Sequence, residues 1–414
     1  MLQYWKINAT RSWKMSKVFA IVLCCFFTVS NAEVHEKILG KAEGYPSNCD
    51  YPKSDWLKCL VGFFTAHDPV NSKMIRRPVM AGNSQAIREL IIDDSVLNPK
   101  VKNRLDNDFK KLPSMAMLII KNGKLIYENY QYDRKSTDQF MYMSMTKSIV
   151  ALSVGKAVEL GNIESINDPV SKYVPELSKS PYYQITIKNL LQMTAGVGYK
   201  ADYDNPNSDS NALALVSNGY SEKYQSLTEY FNQYKPPRKN DEQGKYFNYD
   251  DNATNVLAMV VKNATKKPLT EFFSENIWSK IGAEADASWQ GNNQNDLMGH
   301  AGFHSTPKDL ARLGLVLMND GKYLDKQVIS ADWIKTQVSP LVKTNNNPEY
   351  YGYQTWVVDS GGNKYNFRGN LGQSMMINRK TNTMLITFSV DLKNEYWGAL
   401  TEIFEYVSEK VEVK

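Results

Sequence analysis

MAMLIIKNGKLIYENY, residues 115–130, is the stretch whose reading decides the fold. Two runs of strand-forming residues, Met115–Lys121 and Lys124–Tyr130, flank Asn122-Gly123. A two-residue hairpin turn needs positive φ at both central positions, and Asn-Gly supplies it at least cost. A helical region follows, and strand signals return only near Tyr351. Gln373–Asn378 and Met384–Val390 are two further strands, joined by a turn at Arg379–Asn382. Asn394–Lys410 closes the chain as a helix, with Trp397, Leu400, Phe404 and Val407 on one face. Strands thus come from both ends of the chain and the middle is mostly helical. The pattern predicts an α+β fold: an antiparallel sheet flanked by helices, with an inserted helical subdomain at roughly 165–345 inside a domain spanning 106–414. Residues 33–105, interrupted by Pro46, Pro52, Pro69 and Pro78, read as an extension packed on that domain. A site is expected at the seam between sheet and helical part.

The formal charge of +5 looks basic, but its location matters. Lys6, Arg11, Lys14 and Lys17 precede residue 33 in a stretch with no acid; removing those four from the 49 basic residues leaves 45 against 44 acids. A chain so balanced offers no polyanion-binding surface, which argues against a nucleic-acid partner. Lys14 and Lys17 lead into the apolar run Val18–Val29, and Ser30-Asn31-Ala32 offers the small residues a signal peptidase reads. The run is shorter than the roughly 20 residues of a spanning helix. Residues 1–32 therefore read as a cleaved signal peptide, starting at Met1 or Met15, and the mature chain as periplasmic or secreted with no stable membrane anchor. It would keep Cys49 and Cys59, an even pair ten residues apart that suits a disulfide in an oxidising compartment. No Cys-x-x-Cys and no His-Glu-x-x-His occurs, so neither a metal nor a cofactor is expected.

Three Ser-x-x-Lys copies begin at Ser144, Ser153 and Ser305, where chance alone supplies about one or two. Ser305 precedes Thr306 as N-cap, Pro307 at the first helical position and Asp309 at the third, which is a helix start. Ser153 lies inside a helix, where the surrounding N–H groups are already bonded. Ser144 differs. From Met145 to Leu160 the apolar residues cover nearly the whole helix circumference, the mark of a buried helix, and Gly161 suits its end. Ser144 opens that helix, where free N–H groups favour negative charge. Lys147 lies on the same face one turn on. Desolvation there is expected to lower its pKa and leave a neutral base for the serine. A plain N-cap beside a solvated lysine would need the same residues.

The neighbouring motifs carry a resemblance. Tyr142-Met143-Ser144-Met145-Thr146-Lys147-Ser148, Leu160-Gly161, Asn167-Asp168-Pro169-Val170 and Ile185–Gly196 resemble the serine β-lactamase and penicillin-binding-protein superfamily. Ile281-Gly282-Ala283-Glu284, Ala287-Ser288-Trp289 and Thr306–Gly314 are most similar to the class C β-lactamase-like esterases and 6-aminohexanoate-dimer hydrolases. The similarity runs from about Met115 to the C-terminus. It implies Ser144 as nucleophile, Lys147 as its base, and Tyr249 as the tyrosine of a Tyr-x-Asn motif that exchanges protons with the leaving group. Asp251 stands where the family's Asn is usual; with Phe367, Arg368 and Gly369 it is expected to contact substrate and, ionised, to repel a substrate carboxylate. Phe367-Arg368-Gly369 occupies the place of Lys-Thr-Gly or His-x-Gly, with Phe367 replacing the cationic or imidazole residue. Gly369 lets the strand approach substrate, and the N–H of Asn370 with that of Ser144 would form the oxyanion hole. Tyr203 resembles a substrate-contacting tyrosine of the aminohexanoate hydrolases.

The implied activity is hydrolysis of small esters or linear amides through an acyl-enzyme. A β-lactamase or a peptidoglycan DD-carboxypeptidase is the enzyme alternative, and a degenerate ligand-binding member is the non-enzyme one. A Ser-His-Asp hydrolase finds little support: no Gly-x-Ser-x-Gly elbow occurs, and His300 and His304 sit in loop-like context.

Overall fold

Asn122 and Gly123 both take positive φ, 53° and 75°, and the strands on either side pair antiparallel as the turn dictates. The computed structural model describes residues 36–47, 56–65, 75–82, 90–92, 96–203, 205, 207–345 and 349–413. The signal-peptide segment 1–32 and Cys49 lie outside the described residues.

The hairpin forms one end of an eight-stranded antiparallel sheet. Its strand Ser114–Lys121 pairs with Thr383–Ser389, which pairs in turn with Gln373–Asn378 and then Lys364–Gly369. Three two-residue strands, Trp356–Val357, Tyr350–Tyr351 and Val342–Lys343, complete it. Both faces are covered. Met117 and Ile119 pack with Leu105, Phe109, Leu400, Phe404 and Val407 under the helices Pro99–Lys110 and Trp397–Lys410. Ala116, Leu118 and Ile120 point the other way, into the main core with Ile149 and Leu310. Alternation of side chains along a strand makes this division. Double coverage explains why the strand reads as a continuous apolar run.

The helical middle is present as Asp209–Ser217, Leu227–Gln233, Asp251–Thr265 and Leu269–Asn276. The expectation that strands stop until Tyr351 needs correction. Ile75–Val79, Ala287–Gly291, Phe303–Ser305 and Phe140–Met141 form a second, four-stranded antiparallel sheet. Strands of two to five residues are too short to show a period, and Pro78 disguises one that lies at the sheet edge, where a missing N–H is tolerated. Among the described residues no helix is long and apolar enough to cross a membrane.

Candidate active site

Ser144 sits in a 3-10 turn, Met143–Met145, that runs directly into the buried helix Thr146–Glu159. Met143 is held at φ 47°. A non-glycine residue in the left-handed region costs about 1–3 kcal/mol, strain that clusters at functional turns. The helix carries Lys147 back toward the serine, and its Nζ donates to Ser144 Oγ at 2.9 Å and to the His300 carbonyl at 3.1 Å. Ser153 and Ser305 are both fully buried. Ser153 Oγ bonds the Ile149 carbonyl, and Ser305 bonds the Tyr142 hydroxyl and the Thr306 carbonyl. Thr306 caps its helix through Asp309 N–H.

The next wall is the start of the helix Asp251–Thr265. Asp250 is its N-cap, accepting from the N–H groups of Asn252 and Ala253 and from the Tyr182 hydroxyl. Burial pushes its carboxyl up to about 7. Asp251 follows at the first helical position, and its Oδ1 lies 2.8 Å from Lys147 Nζ, with both side chains 1% exposed. Its Oδ2 accepts from Tyr203 at 2.9 Å and Tyr199 at 3.1 Å. Burial by itself would raise the Asp251 pKa; the adjacent Lys147 charge, His300 and the hydrogen bond from Tyr203 together outweigh it and bring the carboxylate down to about 2. Lys147 shifts the opposite way to the sequence-based expectation. Desolvation opposes its charge, but Asp251 and Tyr249 more than offset that, and its pKa is raised above the ordinary lysine value. Asp251 therefore backs the lysine instead of facing substrate as a free carboxylate, which corrects its reading as a substrate-gripping or carboxylate-repelling group.

Tyr249 is half-buried and stacks on Trp356, ring centres 5.6 Å apart, with Lys147 Nζ 4.9 Å from its own ring centre. Tyr203 is 42% exposed overall, yet its hydroxyl reaches inward to Asp251. His300 enters the site although its sequence context is loop-like. Its imidazole Nδ1 meets the Asn255 side chain at 2.8 Å, and burial pushes its pKa down to about 4, so the ring is neutral at physiological pH. No local pattern marks Asn255, His300, Tyr199 or Trp356, since each enters from a different segment.

The strand Lys364–Gly369 forms the facing edge. A Cβ on Gly369 would lie 2.5 Å from the Tyr142 carbonyl and 3.0 Å from Met143 Cβ, so only glycine lets this strand lie against the turn that carries Ser144. Asn370 follows at once, and its side-chain oxygen accepts from Leu371 N–H and Asn394. Phe367 requires a correction. It is 1% exposed and belongs to the main core, paired in register with Met375. Arg368 takes the opposite face. Its guanidinium lies over the rings of Trp356 and Trp397 and pairs with Glu349 at 2.5 Å. Phe367→Ala is therefore expected to cost about 3–5 kcal/mol of stability, as truncation of a core Phe does, with KM little changed. Urea unfolding alongside steady-state kinetics checks this, and a raised KM at unchanged stability would restore Phe367 to the substrate site.

A family model described as Beta-lactamase matches residues 101–400. The chain is 24% identical over 296 residues to the 6-aminohexanoate-dimer hydrolase of Paenarthrobacter ureafaciens, covering 69% of this chain and 75% of that protein. Among solved structures, a Bacillus anthracis protein provisionally assigned as a 6-aminohexanoate-dimer hydrolase superposes with a TM-score of 0.69 at 22% identity, covering 88% of this chain and 97% of that one. A penicillin binding protein from Bacillus halodurans gives 0.57 at 16% identity, covering 74% and 99%. The two structures share the fold.

Proposed function

The chain belongs to the β-lactamase family, and on that premise we propose that it is an exported serine hydrolase that cleaves small esters or linear amides through an acyl-enzyme on Ser144. The observation that carries the proposal is the Lys147 Nζ to Ser144 Oγ contact of 2.9 Å at the mouth of a buried helix, with the Gly369 edge pressed against the same turn. Ser144 Oγ attacks the substrate carbonyl and gives its proton to Lys147. The N–H groups of Ser144 and Asn370 hold the oxyanion. Tyr249, packed against the lysine, passes that proton to the leaving alcohol or amine, and water then attacks the acyl-serine by the reverse path. A fluorophosphonate probe is expected to label the protein, with the adduct mapping to the peptide containing Ser144. An adduct on Ser153 or Ser305 would end the assignment.

Short acyl esters, and linear amides of the kind named for the Paenarthrobacter ureafaciens relative, are proposed as better substrates than β-lactams. Phe367 is turned into the core and Arg368 is already engaged by Glu349 and two indole rings, so neither brings a free cation to hold a ligand carboxylate. Losing one such charge-assisted contact costs about 1.5–3 kcal/mol, or roughly 10- to 100-fold in affinity. With one enzyme preparation, kcat/KM for p-nitrophenyl butyrate should exceed that for nitrocefin. The reverse order would put the β-lactamase alternative first, and turnover of a D-alanyl-D-alanine peptide above both would favour the carboxypeptidase.

Export and chain organisation belong to the same proposal. Residues 1–32 are the leader, 33–105 an extension, and 106–414 the hydrolase domain, with Cys59 joined to Cys49. N-terminal sequencing of the mature protein is expected to begin near Glu33, with both of those thiols blocked before reduction. A full-length product with reactive thiols contradicts it.

A further inference from the structure

Lys147 has an unusual neighbour for a residue proposed to act as a base. Its Nζ donates to Ser144 Oγ and to the His300 carbonyl, and the Asp251 carboxylate closes the third side at 2.8 Å. The two tyrosine hydroxyls engage only Oδ2 of Asp251. Oδ1 is buried with no aligned donor among the described residues, so its compensation is the nearby ammonium charge. If Lys147 lost its proton, that oxygen would be a buried carboxylate oxygen with nothing opposite it, which is among the least favourable states a protein interior holds.

We infer that Asp251 is a positioning residue that stores Lys147 as an ammonium against the nucleophile, so that acylation draws on the small fraction of enzyme in which the lysine has released its proton to solvent. This rests on the proposed roles of Ser144 and Lys147. In that fraction the amine lone pair accepts the Ser144 hydroxyl proton as the Oγ–carbon bond forms. The site returns to its ammonium form in the acylation transition state, where the developing oxyanion adds a second negative charge. Asp251 thereby stabilises the protonated lysine that the transition state requires, at the cost of withholding the free base at neutral pH.

Of the other groups around Lys147, Tyr249 acts in the same direction but is present in every variant below, and the rest do not supply this effect. Ser148, on its own helix, is tied to the Gln354 carbonyl. Tyr249 lies against the lysine from the loop before the next helix. Asp250, beside Asp251, is committed to Tyr182 and its own helix N-terminus; its pKa of about 7 is held up mainly by burial and in part by the Asp251 charge, so Asp251→Asn lowers it, further from the alkaline limb being read. His300 is neutral across the range of interest. Tyr199, Tyr203 and Tyr351 are driven well above the ordinary phenol value by burial and stay neutral. Arg368 is matched by Glu349.

The test is the pH profile of kcat/KM for p-nitrophenyl butyrate, with background hydrolysis subtracted, together with the pH dependence of the fluorophosphonate labelling rate. In wild type both are expected to keep rising through about pH 8, because the lysine pKa is raised. Asp251→Asn removes the charge and keeps the shape, and should move the rising limb down by at least about one pH unit, a tenfold or greater gain in free amine at a given pH on the limb. Asp251→Glu, which keeps the charge, should leave the limb alkaline. A wild-type profile already flat below about pH 7 overturns the inference without any variant, and so does a limb that Asp251→Asn leaves in place. Wild type that takes up no probe at Ser144 at any pH refutes the serine-hydrolase reading instead, which separates the two failures.

Discussion

Ser144→Ala is expected to lower kcat by about 10⁴-fold or more while leaving the fold intact. Removing the nucleophile of a site that works as a unit costs roughly this much, and what remains comes from the oxyanion donors and from binding. The structural effect should be small. Ser144 is only partly buried, and Lys147 keeps both Asp251 and the His300 carbonyl when Oγ is gone. Thermal unfolding should therefore coincide with wild type to within about 0.5 kcal/mol, the range for a surface-type change, and KM should change far less than kcat. Steady-state kinetics and a melting curve on the same preparation test this. An alanine variant that retains more than a few per cent of kcat would mean that another group performs the attack.

Lys147→Ala should fail twice, and the two failures can be separated. The rate is expected to fall by about 10²-fold or more, since a positioned acid–base group contributes at least that much. Stability is expected to fall as well, by about 3–5 kcal/mol, because the substitution leaves the Asp251 carboxylate buried without its counter-charge. A second change, Asp251→Asn in the Lys147→Ala background, removes the stranded charge. The double variant should recover most of the lost stability and none of the lost rate. Urea unfolding and kcat on the three proteins decide it. If the double variant is as unstable as the single one, the ion pair does not account for the loss, and if it recovers rate, Lys147 is not the base.

How far the sequence reached depended on whether a signal was local. The hairpin at Asn122-Gly123 needs only two residues willing to take positive φ, and both do. The start of the helix after Thr306 needs a side-chain oxygen and a backbone N–H three residues apart, and the bond is there. Ser144 and Lys147 are one helical turn apart, so their contact follows from helix geometry once the helix is recognised. The closing helix buries Leu400, Phe404 and Val407 together because a 3.6-residue period carries that information along the chain.

Fold class, the hairpin, the helix start after Thr306 and the Ser144–Lys147 pairing were thus determined by the sequence itself, through periods and caps that act over a few residues; the closing helix, expected from Asn394, begins only at Trp397. The tertiary structure decided the rest. Lys147 and Asp251 are 104 positions apart, and burial of one lysine predicts a lowered pKa until the partner that reverses it is in place. On the strand Lys364–Gly369, alternation requires Phe367 and Arg368 to take opposite faces, but which face meets the core is settled by what packs there, with Met375 on one side and Trp397 on the other. The second sheet joins strands of two to five residues from four distant segments. Such strands carry almost no pattern of their own, because their stability comes from neighbours that only the folded chain brings beside them.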